Sequence, residues 1–147
     1  MNGSPTNSHG DARREVLREQ RTDIERVQEQ VSSLLEKSGY DDAARFAIRL
    51  AMEEALVNAF RHGNRGETGR SVMLEWRISP DLAEFIVQDE GEGFDPGAVP
   101  DPTLDENLEI PSGRGIMLMR AYMHEVEYLP PGNRIRLRYM RAGKAGA

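Results

Sequence analysis

Along this chain the spacing of hydrophobic residues switches from a helical period to a period of two and back, and the switches mark out the elements. Ile24, Val27, Val31, Leu34 and Leu35 recur at helical spacing. Thr22 followed by Glu25 is a capping box and Gly39 a stop signal, so the pattern predicts a helix over 23–38. Asp41 is placed to cap a second helix, which carries Ile48, Ala51, Ala55 and Ala59 on one face and ends near His62 and Gly63. Ahead of both, residues 14–20 read as a short edge strand.

After the glycine-rich connection 64–69 the period becomes two. Val72, Leu74, Trp76 and Ile78 alternate with Met73, Glu75, Arg77 and Ser79, which predicts a half-buried strand. Pro80 and Asp81 turn the chain into a second strand, where Phe85 and Val87 take the buried face and Ile86 breaks the polarity of the outer one. Asp89 keeps the parity of Phe85 and Val87, so its carboxylate is expected to point inward, where it needs a partner. An arginine is the ordinary partner for such a group. A helix over 115–123 comes next, then strands over 125–129 and 134–140 joined by a turn at 130–133. In the last strand Ile135, Leu137 and Tyr139 alternate with Arg134, Arg136 and Arg138. The arginine row has no interleaved aromatics, so a solvated outer face is preferred over phosphate or nucleic-acid contact.

These elements predict an α/β (α+β) two-layer sandwich: one mixed, mostly antiparallel sheet with three helices on one face. Residues 13–141 form the single domain, and 1–12 and 142–147 read as disordered tails. The 147 residues suffice for one core. A net charge of −6 argues against direct nucleic-acid or membrane-surface binding, which would call for a basic patch. The absence of cysteine removes disulfides, thiol nucleophiles and thiolate metal sites, and suits a reducing compartment. No apolar run is long enough to span a bilayer and the start is no secretory signal, so a cytoplasmic location is expected. His9, His62 and His124 lack metal-ligand spacing.

Candidate chemistry starts on the second helix. Glu54 and Asn58 stand one turn apart on a stripe beside the apolar face, with His62 a further turn on. A carboxamide oxygen is a neutral, hard ligand for Mg²⁺, and a carboxylate one turn away can orient or deprotonate a group attacking phosphate. On this motif alone, a solvated polar stripe is the simpler account. Two further elements change the balance. Residues 89–95 read Asp-Glu-Gly-Glu-Gly-Phe-Asp directly after a strand, and residues 112–119 read Ser-Gly-Arg-Gly-Ile-Met-Leu-Met, a glycine turn opening a helix. Between them, 95–112 holds prolines 96, 100, 102 and 111 with Asp101, Asp105, Glu106 and Glu109, a stretch long enough to be a functional loop.

Glu-x-x-x-Asn on a helix, Asp-x-Gly-x-Gly-Phe after a strand and Gly-x-Gly before a helix, in this order, closely resemble the three motif boxes of the GHKL (Bergerat-fold) ATPases. The likeness spans about residues 40–140. The run from Ile48 to Asn58 and Met123-His-Glu-Val-Glu resemble the anti-sigma-factor serine/threonine kinase branch. The resemblance implies ATP and Mg²⁺ as cofactors, with Asn58 the magnesium ligand and Glu54 the general base or the residue orienting the nucleophile. Glu53 is the runner-up for that role, about 100° further round the helix. Asp89 would accept the adenine amino group. Gly91 and Gly93 would line the base and sugar, His62, Gly63, Gly113 and Gly115 the phosphates, and Phe94, Arg114 and Ile116 would complete the nucleotide-binding set. Residues 95–112 would be the ATP lid. Arg114 would offset charge on the transferring phosphoryl group, though an exposed lid arginine reads the same way.

Two departures from that branch stand out: no arginine lies between Phe94 and Ser112, and position 124 is histidine rather than an acid, a change expected to be peripheral. The implied partners are a sigma factor and an anti-anti-sigma (STAS-type) protein carrying the acceptor serine. A homodimer is also implied, with Ile86 and Met73 the outer-face residues available to it. The alternatives are an ATP-dependent binding switch without efficient transfer, and a detached catalytic domain of a histidine kinase.

Overall fold

A computed structural model describes residues 11–64, 69–91, 113–130 and 132–141. Strand β1 (Asp11–Leu17) leads into helices α1 (Gln20–Lys37) and α2 (Asp42–Asn58), and α2 widens into a π turn over Ala59–Gly63. Strands β2 (Val72–Ile78) and β3 (Leu82–Gln88), helix α3 (Gly113–Tyr122) and strands β4 (Glu125–Leu129) and β5 (Arg134–Met140) complete it. The five strands lie in the order β1-β2-β3-β5-β4. Among the described residues every ladder is antiparallel, so the expected sandwich has no parallel pairing in its sheet. No helix among the described residues is long and apolar enough to cross a membrane.

The core lies between the helix layer and one face of the sheet. Val72, Leu74, Trp76 and Ile78 from β2, Phe85 and Val87 from β3, and Ile135 and Leu137 from β5 are all buried there. They meet Ile24, Val27, Val31 and Leu35 of α1 and Ile48, Ala51, Met52, Ala55 and Leu56 of α2. Both predicted apolar faces are therefore the packed ones. The small alanines of α2 let its axis lie close to the sheet.

On the other face the β5 arginines Arg136 and Arg138 are paired. Arg138 bridges Glu84 at 2.8 Å and Glu125 at 3.2 Å, and Arg136 pairs with Glu127 across the β4–β5 ladder. Arg136 and Arg138 thus lie on the charge-compensated face expected from the alternation, whereas Nε of Arg134, the third of the row, is buried without a hydrogen-bond partner among the described residues.

Register places the functional end. Gln88 at the end of β3 pairs with Met73 near the start of β2 and with Arg134 at the start of β5, while Leu129 at the end of β4 also pairs with Arg134. Asp89 thus emerges at one end of the sheet, under the end of the π turn. The opposite end is closed by Tyr40, whose hydroxyl donates to the Ser79 carbonyl at 2.7 Å, and by Arg141, stacked 5.0 Å above the Tyr40 ring. His124 belongs to that far end. Its Nδ1 accepts from the Met140 N–H at 2.9 Å and its ring meets the Tyr139 ring edge-on.

Three boundaries differ from expectation. The edge strand spans Asp11–Leu17 rather than 14–20, so Asp11 and Ala12 belong to the ladder with β2 and not to a tail. Helix α3 begins at Gly113, two residues early. Helix α1 begins at Gln20 with Glu19 at its N-cap, and the side chain that ties down its start is Asp23 of the first turn rather than Thr22: its Oδ2 accepts from the N–H groups of Arg18 at 2.8 Å and Glu19 at 2.9 Å. These bonds hold the Asp23 carboxyl below its ordinary pKa, with the Glu19 bond the larger cause. At the other end Tyr40 N–H bonds to the Leu35 carbonyl and Gly39 N–H to the Glu36 carbonyl, the paired bonds of a glycine-terminated helix. Gly39 has φ +95°, as that termination requires.

Asp23→Ala is expected to lower unfolding free energy by ~1 kcal/mol, whereas Thr22→Ala stays within about 0.5 kcal/mol of the parent chain. Urea denaturation at neutral pH measures both. Equal losses would return the cap to Thr22.

Candidate nucleotide-binding site

Helix α2 carries the first part of the site on a stripe beside its buried face. Asn58 is 8% exposed, and its Nδ2 is buried with no hydrogen-bond partner among the described residues. Glu54 is half-buried one turn earlier. Both face Gly115 in the first turn of α3: a Cβ there would lie 2.8 Å from Glu54 Oε1 and 3.1 Å from Asn58 Nδ2. Glycine at 115 therefore lets α3 close on α2 without covering the two polar groups. The neighbouring Glu53 points elsewhere. It is exposed, and its Oε1 accepts from Gln28 Nε2 of α1 at 3.4 Å. Geometry thus separates the two glutamates that sequence left in competition.

The second part forms where α2 ends. The π turn holds Ala59–Gly63 with His62 half-buried, and Asn64 N–H closes it on the Ala59 carbonyl at 2.9 Å. Such an insertion shifts the rotational phase of the residues beyond it and is common at functional positions. It brings Gly63 directly against Asp89, so that a Cβ on Gly63 would lie 2.0 Å from Asp89 Oδ2. Asp89 Oδ1 accepts from the Gly91 N–H at 2.7 Å, an Asx turn. A Cβ on Gly91 would lie 2.1 Å from the Gly63 carbonyl oxygen. The two glycines make a cradle in which only backbone and the Asp89 carboxylate fit.

The Asp89 carboxylate does point inward. Burial pushes its pKa up to about 6, against the lowering effects of the Gly91 N–H and of the Arg70 charge. Tyr128 of β4 lies near enough that the Asp89 charge, after burial, helps raise its phenol. A half-buried carboxylate held by one backbone donor among the described residues keeps an acceptor to offer an incoming N–H group.

The other expected site residues divide as follows. The side chain of Ile116 is 5% exposed and sits in the core, so only its backbone is available to a ligand. Gly113 and Arg114 open α3, and the Arg114 side chain lies outside the described residues, as do Gly93, Phe94 and the expected lid 95–112. Sequence reasoning missed the residues that hold the frame. Asn64, 1% exposed, donates from Nδ2 to the Ser71 carbonyl at 2.9 Å and accepts at Oδ1 from the Glu90 N–H at 2.7 Å. Asn133 donates from Nδ2 to the Asp89 carbonyl at 3.1 Å and accepts at its own carbonyl from the Asp89 N–H at 3.0 Å. Their only signal in the sequence is an asparagine after a helix-ending glycine and another in a glycine turn, which is how ordinary turns also read.

The family pattern described as a histidine kinase-like ATPase domain matches residues 17–139, nearly the whole described structure. The chain belongs to the histidine kinase-like ATPase family. It is similar to the serine-protein kinase RsbW of Bacillus licheniformis, 30% identical over 105 residues covering 65% of this chain and 64% of that protein. RsbW of Bacillus subtilis is 29% identical over 104 residues, with the same coverage of 65% and 64%. The serine/threonine-protein kinase BtrW of Bordetella bronchiseptica is 30% identical over 86 residues, or 57% of this chain and 61% of that protein. The matched region thus spans a little under two thirds of these relatives. The family and its serine-kinase branch agree with the resemblance carried by the three motifs.

The raised pKa of Asp89 makes a stability prediction. Folding favours the neutral carboxyl, so its contribution is fully present below the ordinary value of 3.8 and is lost as pH rises through about 6. In nucleotide-free protein, Asp89→Asn is therefore expected to be more stable than the parent chain at about pH 8, by ~1–3 kcal/mol. The gain should vanish near pH 4. Denaturation across that range checks it, and a gap independent of pH would mean that the carboxylate is not destabilised by burial.

Proposed function

We propose that this protein is an anti-sigma serine/threonine protein kinase: it binds ATP with Mg²⁺ and phosphorylates a serine on an anti-anti-sigma (STAS-type) partner. The observation that carries the reading is the meeting of Glu54 and Asn58 with the glycine of α3, with the half-buried Asp89 carboxylate against Gly63 where the same helix ends. Within a family of ATPases and among relatives named serine-protein kinases, these two clusters give one end for a base and one for phosphates.

The residues present suit such a ligand. Asp89 accepts an exocyclic amino hydrogen, from a carboxylate that the glycines at 63 and 91 allow to seat at the end of the sheet. Asn58 has a buried carboxamide with unmet hydrogen-bonding capacity, able to turn its oxygen toward a cation. Mg²⁺, when bound, supplies charge neutralisation on phosphate oxygens. Glu54 holds the acceptor hydroxyl and takes its proton, or orients it without full proton transfer if the transition state is loose. The first turn of α3 would offer its backbone N–H groups to the phosphates. Arg114 is the cation assigned to the phosphoryl group, because residues 95–111 contain no arginine. In the cell such a kinase would hold a sigma factor inactive in the cytoplasm until its antagonist prevails.

That missing lid arginine also favours a second reading, in which ATP shapes a binding surface and transfer is slow. Incubation with γ-labelled ATP and a candidate STAS-type partner separates the readings. Label on serine supports the kinase, no label with nucleotide-dependent binding supports the switch, and label on histidine would place the chain with histidine kinases instead.

Glu54→Gln keeps size and one oxygen but removes the base. Mg·ATP binding is expected to persist while transfer falls ~10²–10⁴-fold. Loss of transfer in Glu53→Gln with full activity in Glu54→Gln would reverse the assignment.

Asn58→Ala is expected to remove the response of nucleotide affinity to Mg²⁺, since a methyl group cannot coordinate the ion. Calorimetric titrations with and without the metal test this. An identical response in variant and parent would take Asn58 out of the metal site.

A further inference from the structure

Asn64 has no part in the chemistry above, yet it is more deeply buried than any other polar side chain among the described residues. Its backbone closes the π turn, its Nδ2 reaches the entry of β2 and its Oδ1 reaches the peptide after Asp89. One residue thus joins the end of the motif helix to two further segments, its carboxamide bonding both. Glu90 reinforces the junction, for its Oε2 accepts from the Ser71 N–H at 2.5 Å and from Ser71 Oγ at 2.8 Å. From the other side Asn133 holds the backbone of Asp89 through its own two bonds. The peptide that carries Asp89 is therefore gripped from both sides, while its carboxylate fills the space against Gly63.

We propose that Asn64 is a positioning residue of the nucleotide site, joining the end of the motif helix to the peptide after Asp89 and so setting where the Asp89 carboxylate stands relative to Glu54 and Asn58. The inference rests on the reading of Asp89 as the acceptor for the base. A ligand that must reach both ends at once is sensitive to their separation, and a displacement of about 1 Å can cost on the order of 10²-fold. Burial raises the pKa of the Asp89 carboxyl, so loosening the junction would expose the group to water and lower that pKa. Among the described residues the groups facing Asp89 are the Gly91 N–H and Gly63, Arg70 ahead of β2, and Tyr128 on β4. None of these is on Asn64, so its influence on Asp89 is indirect.

The test compares Asn64→Ala and Asn64→Asp with Leu35→Ala, a core variant far from the site that serves as a stability control. Asn64→Asp keeps the acceptor for Glu90 N–H but sets a second oxygen against the Ser71 carbonyl. ATP and GTP affinities are measured by calorimetry well below the unfolding temperature, and the Asp89 carboxyl is titrated by NMR in nucleotide-free protein. Asn64→Ala is expected to raise the Kd for ATP by ~10–100-fold and to narrow the preference for ATP over GTP. It should also move the Asp89 midpoint from about 6 toward 3.8. Asn64→Asp should fall between, and Leu35→Ala should lose stability with no change in selectivity or midpoint. Parent-like affinity, preference and midpoint in Asn64→Ala would overturn the proposal, whatever its stability. Should Asn64→Ala fail to fold, Asn64→Asp decides by the same readouts. If the parent chain binds neither nucleotide, the ATP reading fails. The NMR titration still decides the role of Asn64, because an unmoved midpoint refutes it.

Discussion

The structure turns on one close approach, between the end of the motif helix and the end of β3. A side chain at position 63 would stand 2.0 Å from Asp89 Oδ2, and one at 91 would stand 2.1 Å from the Gly63 carbonyl oxygen. Contacts that short do not occur between real atoms, so a side chain at 91 would force the backbones apart and one at 63 would displace the Asp89 side chain. Strand parity turns Asp89 inward at the same place, and burial makes its charge costly. A carboxylate kept there at neutral pH lowers the stability of the empty protein, as is usual where a site is organised for a ligand. The core that offsets this cost lies immediately beneath, between α2 and strands β2, β3 and β5.

Helix α2 does three things at once because its faces are distinct. Its alanine-rich side packs on the sheet, its Glu54–Asn58 stripe meets the glycine of α3, and on the third side Gln28 Nε2 donates to the Arg49 carbonyl at 3.0 Å as well as to Glu53. The π turn then changes the phase, so that Gly63 rather than a bulkier neighbour meets Asp89. A regular continuation of the helix would deliver the next residues about 100° apart and present a different one. The outer face of the sheet contributes differently. Its exposed ion pairs are each worth roughly 0–1 kcal/mol, so they serve register and solubility more than stability.

Fold class, element order and the three motifs were legible in the sequence, because each rests on local chemistry. Periodicity located both buried helix faces and both central strands, strand parity turned Asp89 inward, and Asp41 was visible as a cap; its Oδ1 accepts from the Ala44 N–H at 2.9 Å. Where local rules competed, sequence chose wrongly. Two capping candidates stood near the start of α1, and Asp23 prevails over Thr22 because its longer reach meets the N–H groups of Arg18 and Glu19 as the chain leaves β1. Only the tertiary structure decided which glutamate faces α3, what a side chain at 63, 91 or 115 would meet, and that Asn64 and Asn133 hold the site together. Those facts depend on contacts between segments more than 20 residues apart, and no spacing within a single helix or strand records them.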